Sequence, residues 1–209
     1  MYKVIDNFLS DIEFKAIQAW TNNYENADED QHWHTQLLND NNEVEINKPK
    51  IKSGIQWPDK ISEVDAPLFI LAANIQQYLN IDVNKLKEFR CQMYRYKHGA
   101  GILLHRDSDG ENDIAKRYGI TYYVNDIWKH NWGGELVVYH GGDHMFSVGD
   151  KWEIPLDLKI QEVIVPKANR LVIIEDNWHK VNPNLNKELD RVAIQTFIRL
   201  KAETKFEKD

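Results

Sequence analysis

From about residue 86 the chain breaks into short runs rich in β-branched and aromatic residues. They are Phe89–Tyr96, Ile102–His105, Tyr118–Val124, Glu135–Tyr139, Glu162–Val165, Leu171–Ile174 and Val192–Leu200. Such side chains suit a pleated, half-buried surface. Gly99-Ala100-Gly101, Gly133-Gly134, Gly141-Gly142 and Pro166 to Asn169 punctuate the runs with turn signals. Many short strands joined by turns predict an antiparallel sandwich or barrel. The expected fold is α+β but mainly β, a jelly roll carrying N-terminal helices on one face.

The helices are read from caps and periodicity. Ser10 and Glu13 have capping-box spacing, and Leu9 and Phe14 are placed for a hydrophobic staple. Phe14, Ile17 and Trp20, with Ala16, then form an apolar face. A second helix is predicted to start near Asp65, with Pro67 in its first turn and Leu68, Leu71, Ala72, Ile75 and Leu79 as its buried stripe. Between them, residues 25–50 are rich in Asn, Asp and Glu and read as a solvated loop, with a lid over a site as the alternative. The 209 residues suffice for one sizeable core. The expected organisation is one domain over 1–209: helical support and variable loops over 1–88, and the jelly-roll core over 89–200.

The formal charge of −7 argues against general attraction to nucleic acid or an anionic membrane. The single cysteine, Cys91, excludes an intramolecular disulfide and reads as a small core residue. The first residues lack the apolar run of a signal peptide, and nothing approaches the roughly 20 apolar residues of a membrane span. A cytoplasmic protein is expected.

His105, Asp107 and His179 carry the chemistry. Residues i and i+2 of a strand share a face, so His105 and Asp107 can aim at one ion while Arg106 points away. His179 follows the run Leu171–Ile174 and a turn, so a fold apposing the two segments completes a set of two imidazoles and one carboxylate. Such a set occupies one face of an iron(II) ion and leaves the other open. Zinc accepts the same donors, although the His-Glu-x-x-His protease motif is absent. With eight histidines in the chain, His-x-Asp alone is unspecific. Arg191 offers a planar, permanently charged fork for a carboxylate. By strand alternation Tyr122 faces away from Tyr123, while Tyr94 shares a face with Tyr96. Trp178 is the tryptophan best placed for a pocket wall.

Taken in order, Tyr94-Arg95-Tyr96-Lys97-His98-Gly99, Leu104-His105-Arg106-Asp107, Ile120-Thr121-Tyr122-Tyr123-Val124-Asn125, Trp132-Gly133-Gly134-Glu135-Leu136, Pro166 to Ile174, His179 and Arg191 to Phe197 resemble the iron(II)/2-oxoglutarate-dependent dioxygenases, in their prolyl 4-hydroxylase-like branch. The resemblance covers about residues 89–200, just over half of the chain. It implies a double-stranded β-helix. It also implies His105, Asp107 and His179 as catalytic iron ligands, Arg191 and Tyr123 as partners of the distal carboxylate of 2-oxoglutarate, and Tyr96 near that cosubstrate. Fe(II), 2-oxoglutarate and O2 are the implied reactants, with ascorbate as a supporting reductant. An intact Asp107 implies hydroxylation rather than halogenation. Proline in a peptide or protein is the implied substrate. The alternatives are a free amino acid or other small molecule, or a jelly-roll protein that holds a metal structurally. Polar stretches 25–50 and 143–157 are the candidates for substrate-covering loops.

Overall fold

The structure, a computed structural model, describes residues 2–23, 35–38, 44–47, 50–57, 66–107, 114–142, 145–148 and 152–201. The elements run β1 (Tyr2–Asp6), α1 (Asp11–Asn23), β2 (Thr35–Leu38), β3 (Val44–Asn47), β4 (Lys50–Trp57), α2 (Ala66–Leu79), β5 (Leu86–Tyr96), β6 (Ile102–His105) and β7 (Ile114–Tyr123). They continue with β8 (Leu136–His140), β9 (Met145–Val148), β10 (Trp152–Pro155), β11 (Lys159–Ile164), β12 (Arg170–Ile174), β13 (His179–Val181) and β14 (Arg191–Lys201). A six-stranded antiparallel sheet has the order β1-β12-β7-β14-β5-β4, and a four-stranded one the order β11-β8-β13-β6. These are the two sheets of the expected jelly roll. Among the described residues, no helix is long and apolar enough to cross a membrane.

Strand alternation gives the large sheet two working faces. One face sends Phe89, Cys91 and Met93 of β5, Ile120 and Tyr122 of β7, and Ile194 and Ile198 of β14 against the helices. Ile17 and Trp20 of α1, with Leu68, Leu71 and Ile75 of α2, complete that layer. Each fully buried Leu or Ile contributes roughly 1.5–3 kcal/mol, so the two helical stripes hold the helices in place. Cys91 is wholly buried there, accepts a hydrogen bond from Thr196 Oγ1 at 3.3 Å, and has its thiol pushed up to about 12 by burial. The other face sends Tyr94, Tyr96, Tyr123, Val172 and Ala193 toward Leu136, Val138, Ile164 and Val181 of the small sheet. Tyr122 and Tyr123 thus lie in different layers, and Tyr94 and Tyr96 in the same one.

The capping box forms as read. Glu13 Oε2 accepts from Ser10 N at 3.0 Å and Ser10 Oγ at 2.7 Å, which holds the Glu13 carboxyl below its ordinary range. The polar segment 25–50 departs from the loop reading: β2 and β3 within it pair as an antiparallel hairpin, and β2 lies beside β6. The stretch 143–157 likewise contains the β9–β10 hairpin. Each hairpin is built of four-residue strands, too short to give a firm periodic signal. β1, β4 and β13 were also absent from the strand reading. β1 is a half-exposed edge strand, β4 carries lysines and a glycine, and β13 has only three residues.

Asn169 joins the N-terminal segment to the sheet. Its Oδ1 accepts from Leu9 N at 2.9 Å and from the Tyr122 hydroxyl at 2.8 Å, and its Nδ2 donates to Leu9 O at 2.8 Å. It adopts a φ of 55°, a left-handed conformation that asparagine tolerates. Replacing it with alanine leaves three buried partners unsatisfied at roughly 1–3 kcal/mol each, less whatever water recovers. Asn169→Ala is expected to lower the urea midpoint by the equivalent of about 2–4 kcal/mol. An unchanged midpoint would remove Asn169 as the clamp.

Candidate active site

β6 and β13 pair antiparallel with His105 directly opposite His179. The ladder is offset between that pair and Val181↔Ile102, a bulge of the kind that re-aims side chains. The imidazole centroids lie 4.2 Å apart. Asp107, just beyond β6, brings Oδ1 to 3.7 Å from His105 Nε2 and Oδ2 to 4.0 Å from His179 Nε2. One ligand atom from each of the three residues falls within 4.8 Å of the others, a set that can hold one metal ion.

The backbone sets the tautomers. His105 Nδ1 lies 2.7 Å from Leu103 O, and His179 Nδ1 lies 2.8 Å from Asn177 O. A carbonyl can only accept, so each Nδ1 carries the proton and each Nε2 presents its lone pair to the centre. Burial, and then the facing His179, lower the pKa of His105 to about 4, so it stays neutral and able to ligate near pH 7. Asp107 rests on β7 at Gly119, where an added Cβ would collide with Asp107 Oδ2. Arg117 Nη1 also donates to the Asp107 carbonyl at 3.1 Å.

A cavity with about 460 Å³ of empty space, part of it open to solvent, lies against this cluster. From the large sheet it is lined by Tyr94, Thr121, Gln195 and Phe197, and from the small sheet by Ile102 and Leu136. Trp178 does not line it, contrary to the expectation. That ring packs where a Cβ on Gly142 would stand and lies under the Arg106 guanidinium. Arg106 points away from the cluster and pairs with Asp176 at 2.7 Å, tying together the two segments that carry the histidines.

Deeper on the same inner face stands Arg191. It is fully buried, and none of Nε, Nη1 and Nη2 makes a hydrogen bond among the described residues. Its guanidinium sits 4.5 Å from the Tyr96 ring centroid and 5.0 Å from that of Tyr123. The buried Tyr123 hydroxyl also has no partner of hydrogen-bonding geometry among the described residues, although it lies close enough to feel the guanidinium charge. Burial raises the pKa of both phenols, so both stay protonated and able to donate. A buried, unpaired guanidinium costs several kcal/mol, and two aromatic faces offset only part of that. An anion bound between Arg191 and Tyr123 satisfies both groups.

The sequence reading missed several supporting residues. Asn125 brackets Arg191: its Nδ2 donates to Asp190 O at 2.9 Å, and its Oδ1 accepts from Val192 N at 2.7 Å. Gly134, at φ 73°, leaves room for the arginine stem, since an added Cβ would lie 2.7 Å from Arg191 Cδ. Thr121 donates to Gln195 Oε1 at 2.8 Å on the face between metal cluster and arginine. Thr121 is two residues from Tyr123 and Gln195 four from Arg191, so strand alternation could have found both.

The profile of the 2OG-Fe(II) oxygenase superfamily matches residues 91–199. No curated protein shows significant sequence similarity to the chain. Among solved structures, a prolyl-4-hydroxylase from Pseudomonas putida aligns with a TM-score of 0.60 at 19% identity, over 96% of this chain and 92% of that one. A prolyl hydroxylase from Trichoplax adhaerens, in complex with a hypoxia inducible factor oxygen degradation domain peptide fragment, aligns at 0.63 and 20% identity, over 96% and 83%. The viral collagen prolyl hydroxylase from Paramecium Bursaria Chlorella virus-1, as its 2OG complex, aligns at 0.51 and 16% identity, over 95% and 96%.

The steric role of Gly119 is directly testable. Gly119→Ala must displace the Asp107 carboxylate while leaving the strand paired. Divalent-metal affinity, measured by calorimetry with manganese(II), is expected to fall by about tenfold or more, with an unchanged far-UV circular dichroism spectrum. Wild-type affinity in this variant would show that the glycine is incidental.

Proposed function

The chain belongs to the 2OG-Fe(II) oxygenase superfamily, and on that premise we propose that it hydroxylates a prolyl C–H bond in a peptide or protein. The family makes it an enzyme that uses Fe(II), 2-oxoglutarate and O2. The observation that carries the assignment of residues is the buried Arg191 guanidinium, without a hydrogen-bond partner among the described residues, on the side of the large sheet that faces the sheet bearing His105 and His179. A structural metal site needs no such arginine.

In this reading, His105 Nε2, His179 Nε2 and Asp107 hold the iron, and their Nδ1–H bonds to Leu103 O and Asn177 O keep the imidazoles oriented. Arg191 and the Tyr123 hydroxyl receive the distal carboxylate of 2-oxoglutarate, and Tyr96 stacks beneath the guanidinium. Bound together, iron and cosubstrate supply the oxidising power for C–H hydroxylation, which no side chain of the protein can provide. The side chains position the reactants and exclude water: Leu136, Ile174 and Val181 wall the cavity, and Thr121 and Gln195 satisfy each other at its floor. The prolyl assignment is supported by neighbours that are prolyl hydroxylases, one of them seen with a peptide.

Protein purified anaerobically and supplied with Fe(II), 2-oxoglutarate and O2 is expected to form succinate. Mass spectrometry of proline-containing peptides should show the gain of one oxygen atom. Asp107→Ala and His179→Ala are expected to abolish turnover. Arg191→Ala is expected to raise the KM for 2-oxoglutarate by about a hundredfold or more, since losing one partner of a buried charge pair costs roughly 3–5 kcal/mol. Absence of metal-dependent 2-oxoglutarate binding would sink the assignment. Oxygen gain only on free amino acids would move the substrate to the small-molecule class.

A further inference from the structure

The rows of the large sheet place one polar pair between the buried arginine and the metal cluster. On the inner face, Arg191 stands opposite Tyr96, Ala193 opposite Tyr94 and Tyr123, Gln195 opposite Gln92 and Thr121, and Phe197 opposite Arg90 and Gly119. Arg191 and Tyr123 belong to the first two rows, and Asp107 rests on Gly119 in the last. Successive rows stand roughly 6.8 Å apart along the strands. A molecule held by Arg191 at one end and by the metal at the other therefore crosses the row of Gln195 and Thr121.

That row presents a hydrogen-bond donor. Both side chains line the cavity, and both are buried. Thr121 Oγ1 donates to Gln195 Oε1 at 2.8 Å, which fixes the amide with its oxygen toward Thr121 and its nitrogen away from it. Gln195 Nε2 then reaches the Tyr96 hydroxyl only at 3.5 Å, well beyond the usual length of such a bond. A primary amide carries two N–H donors. Nε2 makes no other hydrogen bond among the described residues, so an acceptor brought to it completes its bonding.

We propose that the Gln195 amide N–H donates to the 2-oxo-carboxylate end of the cosubstrate, and that Thr121 is the positioning residue that orients the amide for this contact. The inference rests on the oxygenase reading of the site and adds to it a third cosubstrate-binding group beside Arg191 and Tyr123. Those two groups take the distal carboxylate, so the acceptors left for Gln195 are the oxygens at the other end. A donor facing a charged oxygen makes a stronger bond than one facing a neutral oxygen. The amide is itself neutral, so it contributes this bond without competing with Arg191 for an anion.

The test uses the full chain, loaded with manganese(II) for calorimetry and with iron(II) under anaerobic conditions for absorption. Gln195→Met keeps the length of the side chain and removes both donors. It is expected to weaken 2-oxoglutarate binding by about tenfold. Thr121→Val keeps the shape and removes only the hydroxyl, with a loss of about threefold expected. The double variant is expected to bind no more weakly than Gln195→Met alone, because Thr121 acts only through the amide. At saturating 2-oxoglutarate, the visible charge-transfer band of the iron(II)–keto acid chelate should move to shorter wavelength in Gln195→Met, since the lost donor no longer stabilises the acceptor orbital of the ligand. Thr121→Val should move it the same way by less. A change of packing alone leaves the band in place, and partial loss of folded protein changes its height but not its position. Unchanged affinity in Gln195→Met, an unmoved band in both single variants, or additive losses in the double variant would overturn the proposal. Titration of 2-oxoglutarate into manganese-loaded wild type separates the two levels. Binding there with no effect of Gln195→Met removes the amide contact only, and no binding removes the oxygenase reading along with it.

Discussion

A guanidinium wholly out of water needs a counter-charge, and Arg191 finds none among the described residues. Its neighbours are arranged to keep it in place rather than to neutralise it. Tyr96 and Tyr123 offer ring faces and Gly134 leaves room for its stem. Asn125 fixes the backbone immediately before and after it. Such an arrangement lowers stability when empty and repays it when an anion binds, because both charges are then desolvated together. The cost is tolerable because β14 lies between β5 and β7, so the arginine is carried by a strand paired on both sides.

The metal cluster follows a different logic. Its histidines come from paired strands, and each is oriented by a carbonyl two residues before it, so the backbone itself sets the tautomer. Asp107 stands beyond the strand and depends on the missing side chain of Gly119 for its position. The Arg106–Asp176 pair then links the segment bearing His105 and Asp107 to the one bearing His179. The small sheet thus presents the metal cluster, and the facing side of the large sheet presents the Thr121–Gln195 pair and the buried Arg191.

Much of this was legible beforehand because it depends on local rules. The Ser10–Glu13 box, the apolar stripes of both helices and the opposite facing of Tyr122 and Tyr123 follow from helical and strand periodicity, and the structure reproduces them. The hairpins β2–β3 and β9–β10 were illegible, since strands of four residues are too short for a firm periodic signal. β13 was missed because three residues give no periodicity, although it places His179 opposite His105. Trp178 was misjudged for a related reason: adjacence to His179 in sequence does not mean a shared face, and a neighbour in a strand points the opposite way.

By itself the sequence determined the donor types, their order, the alternation that separates the two cores and the family to which the chain belongs. These are properties of neighbouring residues or of a pattern spread along the chain. Only the tertiary structure decided that the arginine is buried without a hydrogen-bond partner among the described residues, and that Gly119 makes room for Asp107. Each of these depends on the register between strands distant in sequence. A slip of one residue would turn every side chain to the opposite face, and no local pattern encodes the register.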